Sequence, residues 1–196
     1  MNPSRKRHHP SRAVLAGFLL LLAGCASVPH ADPRDPFESL NRGVARFNDG
    51  FDKSLLKPVA ASYGHHVPAP VRRGVSNFFG NLGDAWSAVN SALQLKAPEA
   101  AQGVLRVAVN TVFGIGGLLD IADEAGIERH KQDFGSTLAR WGVPAGPYLV
   151  LPLLGPSTMR DTAGLPLDWL GNPVLLVSPV VARNSMYSLD AVETRA

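Results

Sequence analysis

The chain has 196 residues, 45% of them hydrophobic and 18% charged, with a formal net charge of +3 and one cysteine. A single cysteine excludes an intramolecular disulfide, and a charged fraction below the usual quarter argues against a surface wholly bathed in water. The positive balance sits at the front: residues 1–24 carry four of the nineteen Lys and Arg and no Asp or Glu, so the remainder has fifteen basic against sixteen acidic residues, a net −1. With that segment set aside, nucleic-acid binding loses its compositional support.

The first segment has the proportions of a secretory signal. Arg5, Lys6, Arg7 and Arg12 form a positive region, and Ala13 to Ala23 form an apolar run too short to span a bilayer. It ends in Leu22-Ala23-Gly24-Cys25, which resembles a bacterial lipobox, so residues 1–24 are read as the leader and Cys25 as the lipidated residue. Ala26 and Ser27 follow without the Asp that often retains such lipoproteins in the inner membrane, which favours the outer membrane, periplasmic side. Residues 25–34 form the lipidated N-terminus and a polar tether, and 35–196 form one domain.

Asp35-Pro36-Phe37-Glu38 opens a helix, with Asp35 as cap and Glu38 three residues on. Phe37, Leu40, Val44, Phe47 and Phe51 follow as one apolar stripe, suited either to covering a core or to lying in a membrane interface. Leu56-Lys57-Pro58 is expected to break that helix and start a second, and Val67-Pro68-Ala69-Pro70 to break the chain again. From Val71 two helical pieces are expected, jointed at Gly80-Asn81-Leu82-Gly83. Pro98 begins another helix with Val104, Leu105, Ala108 and Val112 as its apolar face, ending at Gly114-Ile115-Gly116-Gly117.

A further helix is expected from Asp133 to Trp141 and a short strand near Tyr148 to Leu151, while residues 174–196 begin apolar, break at Pro179 and end in a mixed helical pattern. From Gly142 to Met159 eighteen residues carry no charge, but Pro144, Pro147, Pro152 and Pro156 interrupt them. Interior prolines forbid an ordinary spanning helix, yet each lacks an N–H that would need a partner away from water. Segment 142–156 is therefore read as a buried or membrane-apposed loop or hairpin, with an ordinary core loop as the alternative.

No catalytic constellation emerges. Leu119 stands where a dinucleotide fingerprint after Gly114-x-Gly116 needs its last glycine. Gly155-Pro156-Ser157-Thr158 is not a G-x-S-x-G elbow, and Ser157 is expected to cap a short helix through Met159, Arg160 and Asp161. The adjacent His65 and His66 and the acids Asp120, Asp123, Glu124 and Glu128 lack metal-ligand spacing and read as solvated loop residues, so no metal and no cofactor is expected.

Several blocks resemble one family, the MlaA/VacJ outer-membrane lipoproteins. They are Asp35-Pro36-Phe37-Glu38 with Asn41-Arg42, Lys57-Pro58-Val59-Ala60, Ser76-Asn77-Phe78-Phe79-Gly80-Asn81-Leu82, and Arg106 with Asn110-Thr111. The most specific run is Asp133-Phe134-Gly135-Ser136-Thr137-Leu138 followed by Trp141-Gly142-Val143, Gly146-Pro147-Tyr148 and Arg160-Asp161. Departures are small: Leu95 stands where the family often has glycine, Lys131-Gln132 replace a more acidic pair, and many members continue past the position of Ala196.

The resemblance implies a mainly α fold, a compact ring-like assembly of short amphipathic helices with Pro/Gly-rich loops and one small hairpin, seated in the inner leaflet around a polar channel. It implies removal of mislocalised phospholipids from the outer leaflet, beside a trimeric porin, and their delivery to a periplasmic carrier, MlaC. No enzymatic step is implied. A porin-tethered adaptor and a lipid hydrolase are the alternatives. Beside the lipidation site Cys25, the candidate lipid-path or signature residues are Asn41, Arg42, Asn77, Asn81, Asn110, Gly146, Pro147, Tyr148, Arg160 and Asp161. Asn77, Asn81 and Asn110 either line the channel or cap helix ends, and Arg160 either pairs with other charges or meets a headgroup phosphate.

Overall fold

The structure is a computed structural model that describes residues 35–196. The leader, Cys25 and the tether lie outside the described residues. Helix α1 spans Glu38–Phe51. Asp35 acts from two residues before the N-cap Phe37, accepting the Phe37 N–H at 3.1 Å and the Asn41 amide at 3.0 Å. Glu38 closes no capping box and pairs instead with Arg42 at 2.6 Å.

The expected break at Pro58 does not occur. A π-helical turn, Asp52–Leu56, carries α1 directly into α2 (Lys57–His66), with the Lys57 N–H donating to the Asp52 carbonyl. The wider turn gives the proline ring room against the carbonyl one turn back, the contact that breaks an α-helix. Nor does Gly80–Gly83 form a joint, because α3 runs unbroken over Ala69–Leu93. Two interior glycines weaken a helix by roughly 1 kcal/mol each, which packing along a partner helix outweighs. At Gly80 the small residue is used: a Cβ there would lie 3.3 Å from the Arg129 guanidinium.

That partner is α4, Ala97–Val112, which lies antiparallel to α3 with Asn81 against Thr111, Asp84 against Arg106 and Ala88 against Gly103. A short helix α5 (Ile121–Glu124) and then α6 (Phe134–Arg140) follow, the latter opened by a reciprocal Asp133/Ser136 capping box. Strands β1 (Tyr148–Leu151) and β2 (Gly155–Thr158) form the antiparallel hairpin, with Leu149 opposite Ser157 and Val150 opposite Pro156. Ser157 therefore lies in a strand, and Thr158 caps α7 (Met159–Gly171) by accepting the Asp161 N–H at 3.2 Å. Beyond a 3-10 turn, Pro173–Leu176, helix α8 (Val180–Arg195) packs on α2 and α3, and its Arg195 meets Asp52 at 2.7 Å.

The burial pattern is inverted. Among the described residues, buried apolar side chains are small and few (Ala60, Ala88, Ala122 and Val174), whereas Asn81, Asp84, Asn90, Gln94, Arg106, Asn110 and Thr137 are all buried. Helix α4 shows the reversal best. The apolar positions Val104, Leu105, Ala108 and Val112 face outward, Val112 at 71% exposure, while Gly103, Arg106 and Asn110 face α3. The helical period is as expected and its orientation is the opposite. A water-facing domain would hide the aliphatic stripe, so this arrangement suits apolar surroundings. No helix among the described residues is long and apolar enough to cross a membrane.

Candidate functional site

Two arginines and two aspartates lock the interior. Arg106, 1% exposed, donates from Nε to Asp84 at 3.1 Å and from Nη2 to both Asp120 oxygens at 2.8 and 2.9 Å, while Nη1 donates to the Ile127 carbonyl. Arg129 bridges the same two carboxylates, reaching Asp84 at 3.0 Å and Asp120 at 3.1 Å. Asn110 donates to Asp120 at 2.9 Å and accepts the Ala122 N–H at 2.8 Å, so it caps α5 from a neighbouring helix. Burial works to raise the Asp120 carboxyl, but the Asn110 hydrogen bond and the charges of Arg106 and Arg129 outweigh it and hold its pKa below the ordinary value. Asp120 is thus half-buried and tied into the charge network, contrary to its reading as a solvated loop residue.

A second, uncharged network joins α3 to α6. Thr137 donates to Asn90 at 2.7 Å, Gln94 donates to Thr137 at 3.1 Å and to Gln132 at 2.9 Å, and Ser87 exchanges hydrogen bonds with the Gln132 backbone. Close helix approach is needed for such short side chains to meet. At the neighbouring α6–α7 contact, glycines provide it: a Cβ on Gly164 would lie 2.9 Å from the Gly135 nitrogen.

The hairpin is held by α1. Asn41 donates to the Tyr148 carbonyl at 3.1 Å and accepts the Val150 N–H at 2.8 Å, and Asn48, two turns on, donates to the Leu151 carbonyl at 2.9 Å and accepts the Leu153 N–H at 2.8 Å. The two amides complete the free edge of β1 as another strand would, leaving those backbone groups independent of water.

Apart from Arg42, the candidate residues among those described fall into two groups. Asn41, Gly146, Pro147, Tyr148, Arg160 and Asp161 gather at the hairpin base: the Pro147 carbonyl accepts the Met159 N–H at 3.0 Å, the Ala145 carbonyl accepts the Arg160 N–H at 3.1 Å, and Gly146 takes φ +69° beside Met159. Arg160 pairs with Asp161 at 2.8 Å. Asn77, Asn81 and Asn110 lie along the α3–α4 unit, Asn77 donating to the Leu118 carbonyl at 3.1 Å and Asn81 to Thr111 at 3.3 Å, with the Asn81 Oδ1 buried and unpartnered. Arg42 stands apart on the outside with Glu38. Asn48, Asp84, Gln94, Arg129 and Thr137 were not among the candidate site residues, although Thr137 belongs to the most specific family run. The available signals were the seven-residue spacing of Asn41 and Asn48 and Asp84 as the lone acid in α3.

Beside the charge cluster opens a cavity of about 700 Å³ between α3, segment 129–136, α7 and α8. Phe79, Trp86, Leu165 and Trp169 supply apolar wall, and Arg129, Lys131, Asp168, Asp190 and Glu193 supply charge. Burial, and then the neighbouring Glu193 charge, push the Asp190 carboxyl up. Asp168 ties the walls together, accepting from the Trp86 indole at 2.7 Å and the Phe134 N–H at 2.8 Å. Gly83 lines the cavity with nothing within 4 Å of a would-be Cβ.

Polar interior, apolar exterior and a mixed cavity together define a class: a helical protein with a hydrogen-bonded polar core inside an aliphatic shell. The chain belongs to the MlaA lipoprotein family, whose model matches residues 33–196. It is 37% identical over 190 residues to the intermembrane phospholipid transport system lipoprotein MlaA of Escherichia coli, covering 94% of this chain and 75% of that one. The corresponding lipoprotein of Haemophilus influenzae is 30% identical over 204 residues, covering 95% and 78%. An uncharacterized protein of Rickettsia typhi is 39% identical over 142 residues, and the match takes in 72% of this chain and 57% of that one. The chain thus matches only about half to three-fifths of the length of its Rickettsia relatives. A structure solved for the structural basis of maintenance of bacterial outer membrane lipid asymmetry superposes with a TM-score of 0.71 at 37% identity, covering 83% of each chain.

Proposed function

We propose that this chain is the outer-membrane lipoprotein of an intermembrane phospholipid-transport system. It is anchored through lipid on Cys25 and seated by its apolar exterior in the inner leaflet, beside a trimeric porin. It removes mislocalised phospholipid from the outer leaflet and passes it to the periplasmic carrier MlaC. The observation that carries this reading is the inversion of polarity around a cavity. A charged headgroup needs a wet path and its acyl tails need apolar shelter, and a polar core inside an aliphatic shell supplies both. The names of the E. coli and H. influenzae relatives support it. No covalent step is required, and the protein is not an enzyme.

The path runs through the cavity, past Phe79, Gly83 and Trp86 of α3, Arg129 and Gln132, and Asp168 and Trp169 of α7, whereas Asn77, Asn81, Asn110 and the hairpin base lie outside its lining. Arg106 and Arg129 fix the wall and do not carry the headgroup, since each faces the carboxylates of Asp84 and Asp120. The test is outer-leaflet phospholipid in a deletion strain, in one re-expressing residues 1–196 and in one carrying Cys25→Ala. A rise on deletion that is reversed by the chain but not by the cysteine variant is expected. No rise on deletion, with purified protein free of phospholipid, overturns the reading in favour of a porin-tethered adaptor.

A further inference from the structure

Among the described residues, four helices end with the same backbone device, in which one residue takes a left-handed conformation and the next returns its N–H to the carbonyl five residues back. At α5 and α6 the left-handed residue is glycine: Gly126 at φ +71°, with Ile127 N–H to Ala122 at 2.9 Å, and Gly142 at φ +91°, with Val143 N–H to Leu138 at 2.9 Å. Glycine is the ordinary choice, since a Cβ crowds the backbone there. At α3 and α4 it is a large aliphatic: Leu95 at φ +59°, with Lys96 N–H to Ser91 at 2.9 Å, and Ile115 at φ +55°, with Gly116 N–H to Thr111 at 3.0 Å. The hairpin turn repeats the choice with Leu153 at φ +65°. A β-branched or bulky side chain in this conformation is an outlier.

These costly side chains stay largely exposed. Leu95 is 90% exposed, Ile115 68% and Leu153 60%. Neither the fold nor water rewards a strained, solvent-facing leucine over glycine, whereas an apolar layer does. The loops are also prepared to leave water: Leu95 N–H donates to Ala92 at 2.9 Å, Gly117 N–H to Asn110 at 2.9 Å and Leu153 N–H to Asn48 at 2.8 Å. Irregular backbone is tolerated next to hydrocarbon only when its polar groups are satisfied internally. Lipid is close at hand, because the ten residues from Cys25 to Asp35 span at most about 35 Å.

We infer that Leu95, Ile115 and Leu153 are loop-tip anchors inserted among acyl chains, kept at glycine-favouring positions because their side chains seat the protein in the bilayer. The inference rests on the membrane seat proposed above. It is tested with the mature lipoprotein in phosphatidylethanolamine/phosphatidylglycerol vesicles, where the lipidated Cys25 does not react with thiol probes. Nitroxide labels are placed singly at Leu95→Cys, Ile115→Cys and Leu153→Cys, with Val104→Cys reporting the α4 face and Arg42→Cys as the aqueous reference. Collisions with dissolved oxygen and with a water-soluble nickel chelate are then measured.

The expected result is the oxygen-rich, nickel-poor profile of hydrocarbon at 95, 115 and 153, as at 104. The Leu95→Gly/Ile115→Gly pair should shift the label at 104 toward water. Nickel access at the three tips equal to that at 42, with 104 still shielded, overturns the anchors and leaves the membrane seat standing. Nickel access at 104 as well overturns both.

Discussion

Arg106 is the side chain on which the interior most depends, because its single guanidinium satisfies two carboxylates and a carbonyl from three different segments. Arg106→Met leaves Asp84 and Asp120 sharing only the half-exposed Arg129, and breaking a buried pair in this way costs ~3–5 kcal/mol. The variant should melt well below the parent in detergent, measured by circular dichroism. Asp120 adds a pH dependence of definite sign. Its folded pKa is depressed, so the stability it contributes is fully present above its unfolded value near ~3.9 and is lost as pH falls through the lower folded value. Melting temperature should therefore decline on acidification below about pH 4, and Asp120→Asn should flatten that decline. The asparagines of α1 act on a smaller unit. Asn48→Leu strands the Leu151 carbonyl and Leu153 N–H at a cost of about 1–3 kcal/mol, read as faster amide exchange confined to the hairpin.

The α3–α4 pair shows how elements find each other without an aliphatic seam. Close approach at Gly103 and Ala88 brings short polar side chains within hydrogen-bonding reach, and a Cβ on Gly103 would lie 2.9 Å from that of Ala88. Gly103→Val should force the helices apart and break the Asp84–Arg106 contact one turn away, costing about 1–3 kcal/mol by overpacking and more through the charges. The check is a lowered detergent melting point, with Gly43→Ala on α1 as a control that meets no neighbour. At this scale much was legible. Pro98 at the start of α4, Asp133 at the cap of α6 and the strand at Tyr148–Leu151 follow from local chemistry and stand where expected. The breaks at Pro58 and at Gly80–Gly83 do not, because a helix interior absorbs a proline by widening one turn, and absorbs glycines when a neighbour needs the space.

For the whole molecule, the proposed lipid path makes the cavity the feature to perturb. Gly83→Phe projects a ring into it from α3, at a position where a Cβ meets no atom within 4 Å. The variant should fold and reach the membrane at parental levels yet fail to lower outer-leaflet phospholipid, giving the phenotype of the deletion strain. Full complementation would remove the cavity from the path.

By itself the sequence determined the helical periods, the cap at Asp133, the strand at Tyr148–Leu151 and the family, because each depends on residues close together in the chain or on motifs in order. It also marked Asn110 and Arg106 as parts of that pattern. Which face of each helix turned inward was decided only by the tertiary structure. A 3.6-residue period states that a helix has two faces but not which medium each meets, and here the usual assignment reverses because Arg106, Asp84, Asp120 and Arg129 neutralise one another inside. The same holds for Leu95 and Ile115, whose left-handed backbone cannot be read from residue type when the residue is not glycine.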